Sequence, residues 1–299
     1  MLQEESIKLK WPDLVVARFK DYMQLLKPNL SGMVVFSSVI GYLLAPGISF
    51  DWLHVMALFI GGMLVTGGAN VINQIIERHS DALMHRTQRR PLPDGRMAVP
   101  EAVLIATFSG LAGTALITYV FNPLAGFLSL LSLVLYGFAY TPMKKVNPIS
   151  VLIGAFPGAM PPLIGWAAAT GGLGLGGWVL FLIQFFWQFP HYWAIAWVCF
   201  EDYGRAGLRM LPSYAGKTRF TGLQCLYYSI VLIPLAALPY LLGLAGWISM
   251  GISLLCALGY VLASYDFYKK NNHTAAKRVM YASFIYLPVV LLALWIDKI

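Results

Sequence analysis

Long apolar stretches alternate with short polar connections along almost the whole chain. A bilayer core about 30 Å thick needs about 20 apolar residues for each helix that crosses it. Nine stretches approach or exceed this length, near residues 30–46, 52–75, 99–119, 122–141, 149–169, 177–199, 222–242, 246–266 and 279–296. The pattern predicts an all-α polytopic membrane protein with nine transmembrane helices.

The segment before the first stretch has a different pattern. Its apolar side chains follow helical spacing, at Trp11, Leu14, Val15, Phe19, Tyr22, Met23 and Leu26. Basic residues stand among them, which is typical of an amphipathic helix lying in the membrane interface. We expect a cytoplasmic segment 1–29 that contains this helix, followed by one nine-helix domain, 30–299. The segment has charges of both signs and no small-residue cleavage site, so we expect no targeting peptide.

Composition agrees with this class of protein. Apolar residues make up 59% of the chain and charged residues 11%, against roughly 25% charged in soluble domains. The net charge of +8 would suit a nucleic-acid ligand, but all basic residues except Lys298 fall in connections on one side of the predicted bundle. The positive-inside rule then places the N-terminus in the cytoplasm. We expect a bacterial inner-membrane protein and no nucleic-acid partner.

The acidic residues lie in tails, in loops or in the last turns of the predicted spans. Ion-coupled transporters use ionisable groups near the membrane centre, and this chain has no carboxylate there. The distribution argues against such a transporter. It favours a site at the cytoplasmic rim, open to lipid-like molecules.

The most informative pattern lies where the second span ends. Asn73, Glu77 and Asp81 are spaced four residues apart, so at 3.6 residues per turn all three share one helix face. Two carboxylates and an amide suit Mg²⁺, which completes its coordination with water and substrate phosphate oxygens. The sequence therefore predicts a magnesium site on this face. Ordinary solvation of a helix end is the alternative.

Other cytoplasmic rims offer complementary groups. We expect Asp202, after the sixth span, to add a carboxylate to the metal ligands Asn73, Glu77 and Asp81, which together form the catalytic set. Guanidinium groups match phosphate geometry, and the predicted diphosphate ligands are Arg86, Arg89, Arg90, Tyr140 and Lys144. A magnesium diphosphate held above an apolar cavity indicates an isoprenoid diphosphate substrate.

Ionisation of such a substrate gives an allylic cation, which aromatic faces stabilise through cation–π attraction. The sixth span is rich in aromatic residues, namely Phe185, Phe186, Trp187, Tyr192, Trp193 and Trp197. Helix packing and an interfacial aromatic belt explain the same residues equally well. Both interpretations stay open from the sequence.

The motifs together resemble the UbiA superfamily of intramembrane prenyltransferases. The superfamily motif Asn-Asp-x-x-Asp-x-x-x-Asp corresponds to Asn73, Gln74, Glu77 and Asp81. In its haem-farnesylating branch, similar motifs are Arg86–Thr87, 89–93 (RRPLP), 140–144 (YTPMK), 154–159 (GAFPGA), 161–166 (PPLIGW), 187–193 (WQFPHYW) and 210–212 (MLP). The likeness extends from about residue 20 to the end.

The resemblance implies a nine-helix UbiA-like bundle and a reaction. Farnesyl diphosphate and haem B would give haem O and diphosphate, with Mg²⁺ as cofactor and water added at the haem 2-vinyl group. His191 and Trp187 are candidate haem-binding residues, and a haem A synthase is a candidate partner beside the membrane lipid. Gln74 and His79 depart from the family pattern, since aspartate is usual at both positions.

Two other functions stay open. A prenyltransferase of the same bundle could act on an aromatic quinone precursor. A haem-binding or transport protein of the membrane is the non-catalytic alternative. A helical bundle does not by itself specify its chemistry.

Overall fold

The computed structural model describes residues 11–213 and 215–299, and every regular element in this part of the chain is helical. The helices are α1 (Trp11–Leu26), α2 (Pro28–Leu44), α3 (Trp52–Asp81), α4 (Val99–Val120), α5 (Pro123–Val134), α6 (Thr141–Met143), α7 (Ser150–Thr170), α8 (Leu175–Val198), α9 (Phe200–Arg205), α10 (Arg219–Leu241), α11 (Trp247–Lys270) and α12 (His273–Ile296). A π-helical segment, Leu135–Tyr140, joins α5 to α6, so Pro123–Met143 is one continuous span.

Each of the nine predicted stretches coincides with a helix. Within the described residues, seven helices are long and apolar enough to cross a membrane, so the chain is an integral membrane protein. The two others are α2, which has 17 residues, and α8, whose 24 residues include Gln184, Gln188 and His191. The nine-span count and the cytoplasmic N-terminus stay predictions.

α3 extends beyond the predicted span and carries the acidic motif on its last turns. It has 30 residues and ends at Asp81. At 1.5 Å per residue such a helix is about 45 Å long, longer than the hydrocarbon core. Asn73, Glu77 and Asp81 are therefore on regular helix, as their spacing predicts.

Prolines inside α7 leave backbone carbonyls without their helical donors. Pro161 and Pro162 lack the N–H groups that would bond the carbonyls of Pro157 and Gly158. Ser132 Oγ donates to the Pro157 carbonyl over 3.1 Å, and Gln184 Nε2 donates to that of Gly158 over 2.7 Å. Because both carbonyls are satisfied by neighbouring helices, these prolines are tolerated within the membrane.

α1 forms over the predicted residues. Its N-terminal half exposes Trp11, Leu14, Val15, Val16 and Phe19. At the other end, the buried Asp21 accepts a hydrogen bond from Arg96 in the connection after α3. α1 thus presents apolar side chains outward, as an interfacial helix requires. Its position on a membrane stays a prediction, and residues 1–10 of the predicted N-terminal segment lie outside the described residues.

The C-terminus is fastened to the end of α2. Lys298 Nζ donates to the carbonyl oxygens of Leu43 and Ala45 over 2.7 Å and of Ile48 over 3.1 Å. These bonds form what we call the C-terminal clasp. A cation among carbonyls at a helix C-terminus is favourable, which accounts for the one lysine that the predicted topology separates from the other basic residues.

Candidate active site

A cavity of about 430 Å³ opens among α2, α3, the π-helical segment, α7, α8 and α12. Asn73, Glu77 and Asp81 line it from α3, and Trp187 and His191 line it from α8. Most of the other lining side chains are apolar. The cavity therefore brings the predicted metal-binding face and the predicted haem-binding residues to one space.

Glu77 pairs with Lys144. Their Oε1 and Nζ atoms lie 3.0 Å apart, and both side chains are largely buried. Asn73, one turn earlier on α3, donates from Nδ2 to Thr141 Oγ1 over 3.2 Å. That bond uses the amide nitrogen and leaves the Asn73 Oδ1 atom as an acceptor. Two residues of the acidic motif are thus held against α6.

Asp81 is completely buried at the end of α3. Arg90 Nη1 donates to its Oδ2 atom over 2.6 Å. The other carboxylate oxygen, Oδ1, is buried and has no hydrogen-bond partner among the described residues. A buried carboxylate oxygen of this kind is costly unless a ligand or cation satisfies it.

Tyr140 forms the wall beside Lys144. The ammonium of Lys144 lies 4.5 Å from the centre of the Tyr140 ring, a cation–π geometry. Gly154 of α7 makes room for this ring, because a Cβ there would lie 2.5 Å from Tyr140 Cδ2. The sequence-predicted pair Tyr140 and Lys144 is therefore assembled against α7.

The predicted diphosphate-binding arginines differ in position. Arg86 and Arg90 line the cavity, whereas Arg89 is exposed and does not. The Arg89 carbonyl instead accepts a hydrogen bond from Arg96 Nη2 over 2.6 Å. Successive residues in a turn point in different directions, so three neighbouring arginines do not reach one ligand.

Asp202 lies outside the cavity lining. Its carboxylate accepts hydrogen bonds from the backbone N–H groups of His85, over 3.2 Å, and Arg86, over 3.4 Å. Arg205 Nη2 also donates a hydrogen bond to the Asp202 carboxylate. Burial raises the pKa of Asp202, but these hydrogen bonds outweigh burial and hold the pKa below its usual range. In this structure Asp202 positions the 82–98 connection rather than joining the carboxylates of α3.

The structure explains both departures from the family motif. Gln74 faces α1, where its Nε2 atom donates to the Leu25 carbonyl over 2.6 Å. An ionised aspartate could not donate that bond. His79 is exposed, away from the Glu77 and Asp81 side chains, as its helical position predicts.

The aromatic residues of α8 divide into two groups. Trp187 and Tyr192 line the cavity, whereas Phe185, Phe186, Trp193 and Trp197 do not and pack in the protein core. Trp187 and His191 stack with ring centres 5.0 Å apart and an angle of 18° between planes. Helix packing therefore accounts for four of the six aromatic residues.

Lys27 also lines the cavity, although its sequence context does not distinguish it from other basic residues. It lies between α1 and α2 in the left-handed conformation, with φ of 51°. Burial lowers its pKa to about 7, and the positive charges of Arg90 and Lys144 act in the same direction. In sequence it looks like any other basic residue before a span.

Comparison with known proteins identifies the family. The profile of the UbiA prenyltransferase family matches residues 34–287. The chain belongs to the UbiA prenyltransferase family. Among UbiA relatives, the protoheme IX farnesyltransferase of Cytophaga hutchinsonii is 46% identical, over 95% of this chain and all of the relative. That of Christiangramia forsetii is 41% identical over 93% of both chains.

Solved structures show the UbiA fold independently. A digeranylgeranylglyceryl phosphate synthase superposes with a TM-score of 0.78 at 22% identity, over 94% of this chain and 98% of the other. A UbiA homologue from Archaeoglobus fulgidus, bound to GPP and Mg²⁺, gives 0.69 at 18% identity, over 92% and 99%. The predicted UbiA-like helical fold is confirmed.

Proposed function

We propose that this protein transfers the farnesyl group of farnesyl diphosphate to the 2-vinyl group of haem B, forming haem O. One structural observation carries the proposal. A single cavity is lined by Glu77 and Asp81 of α3, by Lys144 after α6, and by Trp187 and His191 of α8. The charged groups suit a diphosphate, and the two ring side chains suit a planar, metal-containing acceptor. The names of the 46% and 41% identical relatives support the same reaction.

The residues present fit Mg²⁺. Among the described residues, the Asp81 Oδ1 atom is buried without a hydrogen bond, and the Asn73 amide donates through Nδ2, which leaves its Oδ1 atom as an acceptor. With Glu77 these groups form an all-oxygen set of the kind that Mg²⁺ prefers. When bound, the ion would neutralise charge on the leaving diphosphate. The Archaeoglobus fulgidus homologue with bound Mg²⁺ supports this cofactor.

Basic side chains would hold the diphosphate. Lys144 pairs with Glu77, and Arg90 pairs with Asp81. We infer that both cations turn toward diphosphate oxygens when the substrate is bound, joined by Arg86 from the cavity lining. Their positive charges stabilise the leaving group because the surrounding protein excludes most water. Asp202 would contribute by fixing the backbone that carries Arg86.

The chemistry balances without a strong base. Heterolysis of the carbon–oxygen bond leaves diphosphate and a farnesyl cation. The vinyl π electrons then form the new carbon–carbon bond at the terminal vinyl carbon. Water adds to the resulting benzylic-type cation and loses one proton. The rings of Tyr140, Tyr192 and Trp187 line the cavity and would shield the cations.

We place the charged region on the cytoplasmic side of a bacterial inner membrane. The basic connections support this orientation through the positive-inside rule. The farnesyl chain would lie among the apolar helices with membrane lipid nearby. Haem O is a substrate for a further oxidation, so a haem A synthase is the partner that we propose.

Mass spectrometry of extracted haems tests the reaction. Membranes containing the full chain receive haem B, farnesyl diphosphate and Mg²⁺, and we expect a haem with one added farnesyl group and one added hydroxyl group. Glu77→Gln should give none while inserting normally. If haem B stays unchanged while a quinone precursor is prenylated, haem is not the acceptor. If the folded protein prenylates no acceptor, the proposed prenyl-transfer reaction is refuted.

A further inference from the structure

Ser283 of α12 forms hydrogen bonds with both Trp187 and His191, the predicted haem-binding residues of α8. Its backbone carbonyl accepts a hydrogen bond from Trp187 Nε1 over 2.8 Å. Its hydroxyl oxygen lies 2.7 Å from His191 Nδ1. Ser283 itself is completely buried. One residue on the opposite helix thus fixes both members of the stacked Trp187–His191 pair.

The direction of the hydroxyl bond determines the protonation of the imidazole. Ser283 Oγ lies 2.5 Å from the Met280 carbonyl oxygen, one turn earlier. A carbonyl can only accept, so this contact requires the single Ser283 hydroxyl proton. The Ser283 oxygen can then only accept from His191, so His191 Nδ1 carries the proton. A neutral imidazole protonated at Nδ1 has an unprotonated Nε2. No hydrogen-bond partner of Nε2 occurs in the described part of the chain.

His191 also lines the cavity, together with Trp187, Phe284 and Leu287. A neutral imidazole with a free Nε2 atom is a common metal ligand, and the hydrogen bond at the other nitrogen sets which atom binds. An acceptor at the other ring nitrogen, as the Ser283 oxygen is here, fixes the tautomer and ring orientation of a metal-bound histidine. The arrangement suits the iron of a planar macrocycle lying near Trp187.

We propose that Ser283 is a positioning residue, which holds His191 in the Nδ1-protonated form so that Nε2 binds the iron of the haem substrate. The proposal rests on haem being the acceptor. Ser283 acts through His191 and does not touch the reacting vinyl group. Its role would be to set the depth and orientation of the macrocycle relative to the farnesyl cation.

Haem titration of the purified full-length protein, without farnesyl diphosphate, tests this role. We expect Ser283→Ala to weaken haem B binding by about 10- to 100-fold, the usual effect of removing such an orienting group, and to change the Soret band. Ser283→Thr, which keeps the hydroxyl, should preserve the band. Ser229→Ala is a matched control, because Ser229 is equally buried and its hydroxyl donates only to the Leu226 carbonyl.

Nitrogen NMR of the haem-free protein with labelled histidine gives a second readout. We expect the His191 proton on Nδ1 in the wild type and a shift toward the Nε2-protonated form in Ser283→Ala. An Nε2 proton in the wild type would overturn the proposal. Equal haem affinity and spectra in Ser283→Ala and Ser229→Ala would overturn it too. If haem O forms normally, these outcomes refute the positioning role and leave the proposed reaction intact.

Discussion

Glu77 of α3 and Lys144 at the end of α6 form a buried ion pair, with 3.0 Å between Oε1 and Nζ. Removal of one partner from such a pair leaves an uncompensated charge and costs about 3–5 kcal/mol. The pair therefore joins two spans and also supplies two groups of the proposed site. Its structural and catalytic contributions can be separated by experiment.

Glu77→Gln and Lys144→Met should each lower the thermal unfolding temperature of the detergent-purified protein. The double variant should recover much of that loss because no charge is left unpaired, yet it should form at least about 100-fold less haem O. Thermal unfolding and haem analysis on the same preparations check this. A double variant that regains activity would contradict the proposed site.

Asp202→Asn should loosen the connection 82–98. The folded-state pKa of Asp202 is below its usual range, so the ionised form stabilises the fold near neutral pH. That contribution is lost as pH falls below the ordinary aspartate value of about 3.9 and through the lower folded pKa. We expect faster proteolysis of the connection in the variant at pH 7, with a difference that shrinks toward acid pH.

The exposed neighbour Glu201 provides the control for that experiment. Glu201→Gln changes the same charge, and no hydrogen bond or ion pair of its side chain occurs in the described residues. Equal proteolysis of the Asp202→Asn and Glu201→Gln proteins would show that Asp202 does not hold the connection.

Gly154→Ala should displace the Tyr140 ring, since a Cβ at Gly154 would lie 2.5 Å from it. We expect haem O formation to fall about 10-fold or more, because the ring also contacts Lys144. Gly251→Ala, where no atom lies within 4 Å, should behave like the wild type. The test is the rate of haem O formation, measured with equal amounts of each protein. Equal rates for Gly154→Ala and Gly251→Ala would contradict the predicted displacement of the Tyr140 ring.

Lys27→Met should raise the KM for farnesyl diphosphate. The pKa of Lys27 is about 7, so its amine is charged below this pH and increasingly neutral above it. We therefore expect the wild-type KM to rise between about pH 6 and pH 8, and this part of the rise to be absent in the variant. Lys27→Arg, which stays charged, should keep a low KM at both pH values. Identical pH profiles would exclude Lys27 from substrate binding.

Lys298→Met should lower thermal stability by removing the C-terminal clasp, while haem O formation at low temperature stays near the wild-type rate. The exposed Lys269 gives a control with the same change of charge. Thermal unfolding of Lys298→Met and Lys269→Met should differ by several degrees. Equal unfolding temperatures would mean that the clasp contributes little.

The spans and the α3 part of the site follow from sequence because each depends on local periodicity. Asn73, Glu77 and Asp81 share a face by helix geometry alone. Asp202 is predicted as a ligand from its place at the cytoplasmic end of the sixth span and Arg89 from its neighbours Arg86 and Arg90, but neither residue lines the cavity. Backbone and Arg205 hydrogen bonds hold the Asp202 carboxylate against the 82–98 connection. Side-chain direction in a connection depends on distant backbone partners, which periodicity does not contain.

Lys27 and Ser283 show the opposite case. Lysine near a span is expected from the positive-inside rule, so its type carries no special signal. Ser283 is one of many small polar residues in an apolar helix. Lys27 reaches the cavity because the backbone between α1 and α2 is left-handed at this residue. Ser283 contacts His191 because α12 packs against α8.

The C-terminal clasp also constrains how the chain passes through the membrane. Lys298 binds Leu43 at the end of α2, so both points lie on the same membrane face. The chain between them must therefore cross an even number of times. Among the described residues, the seven helices that are long and apolar enough to cross a membrane all fall between these points, and seven crossings would leave Lys298 on the face opposite Leu43. We therefore predict that α8 also crosses the membrane, despite its polar side chains.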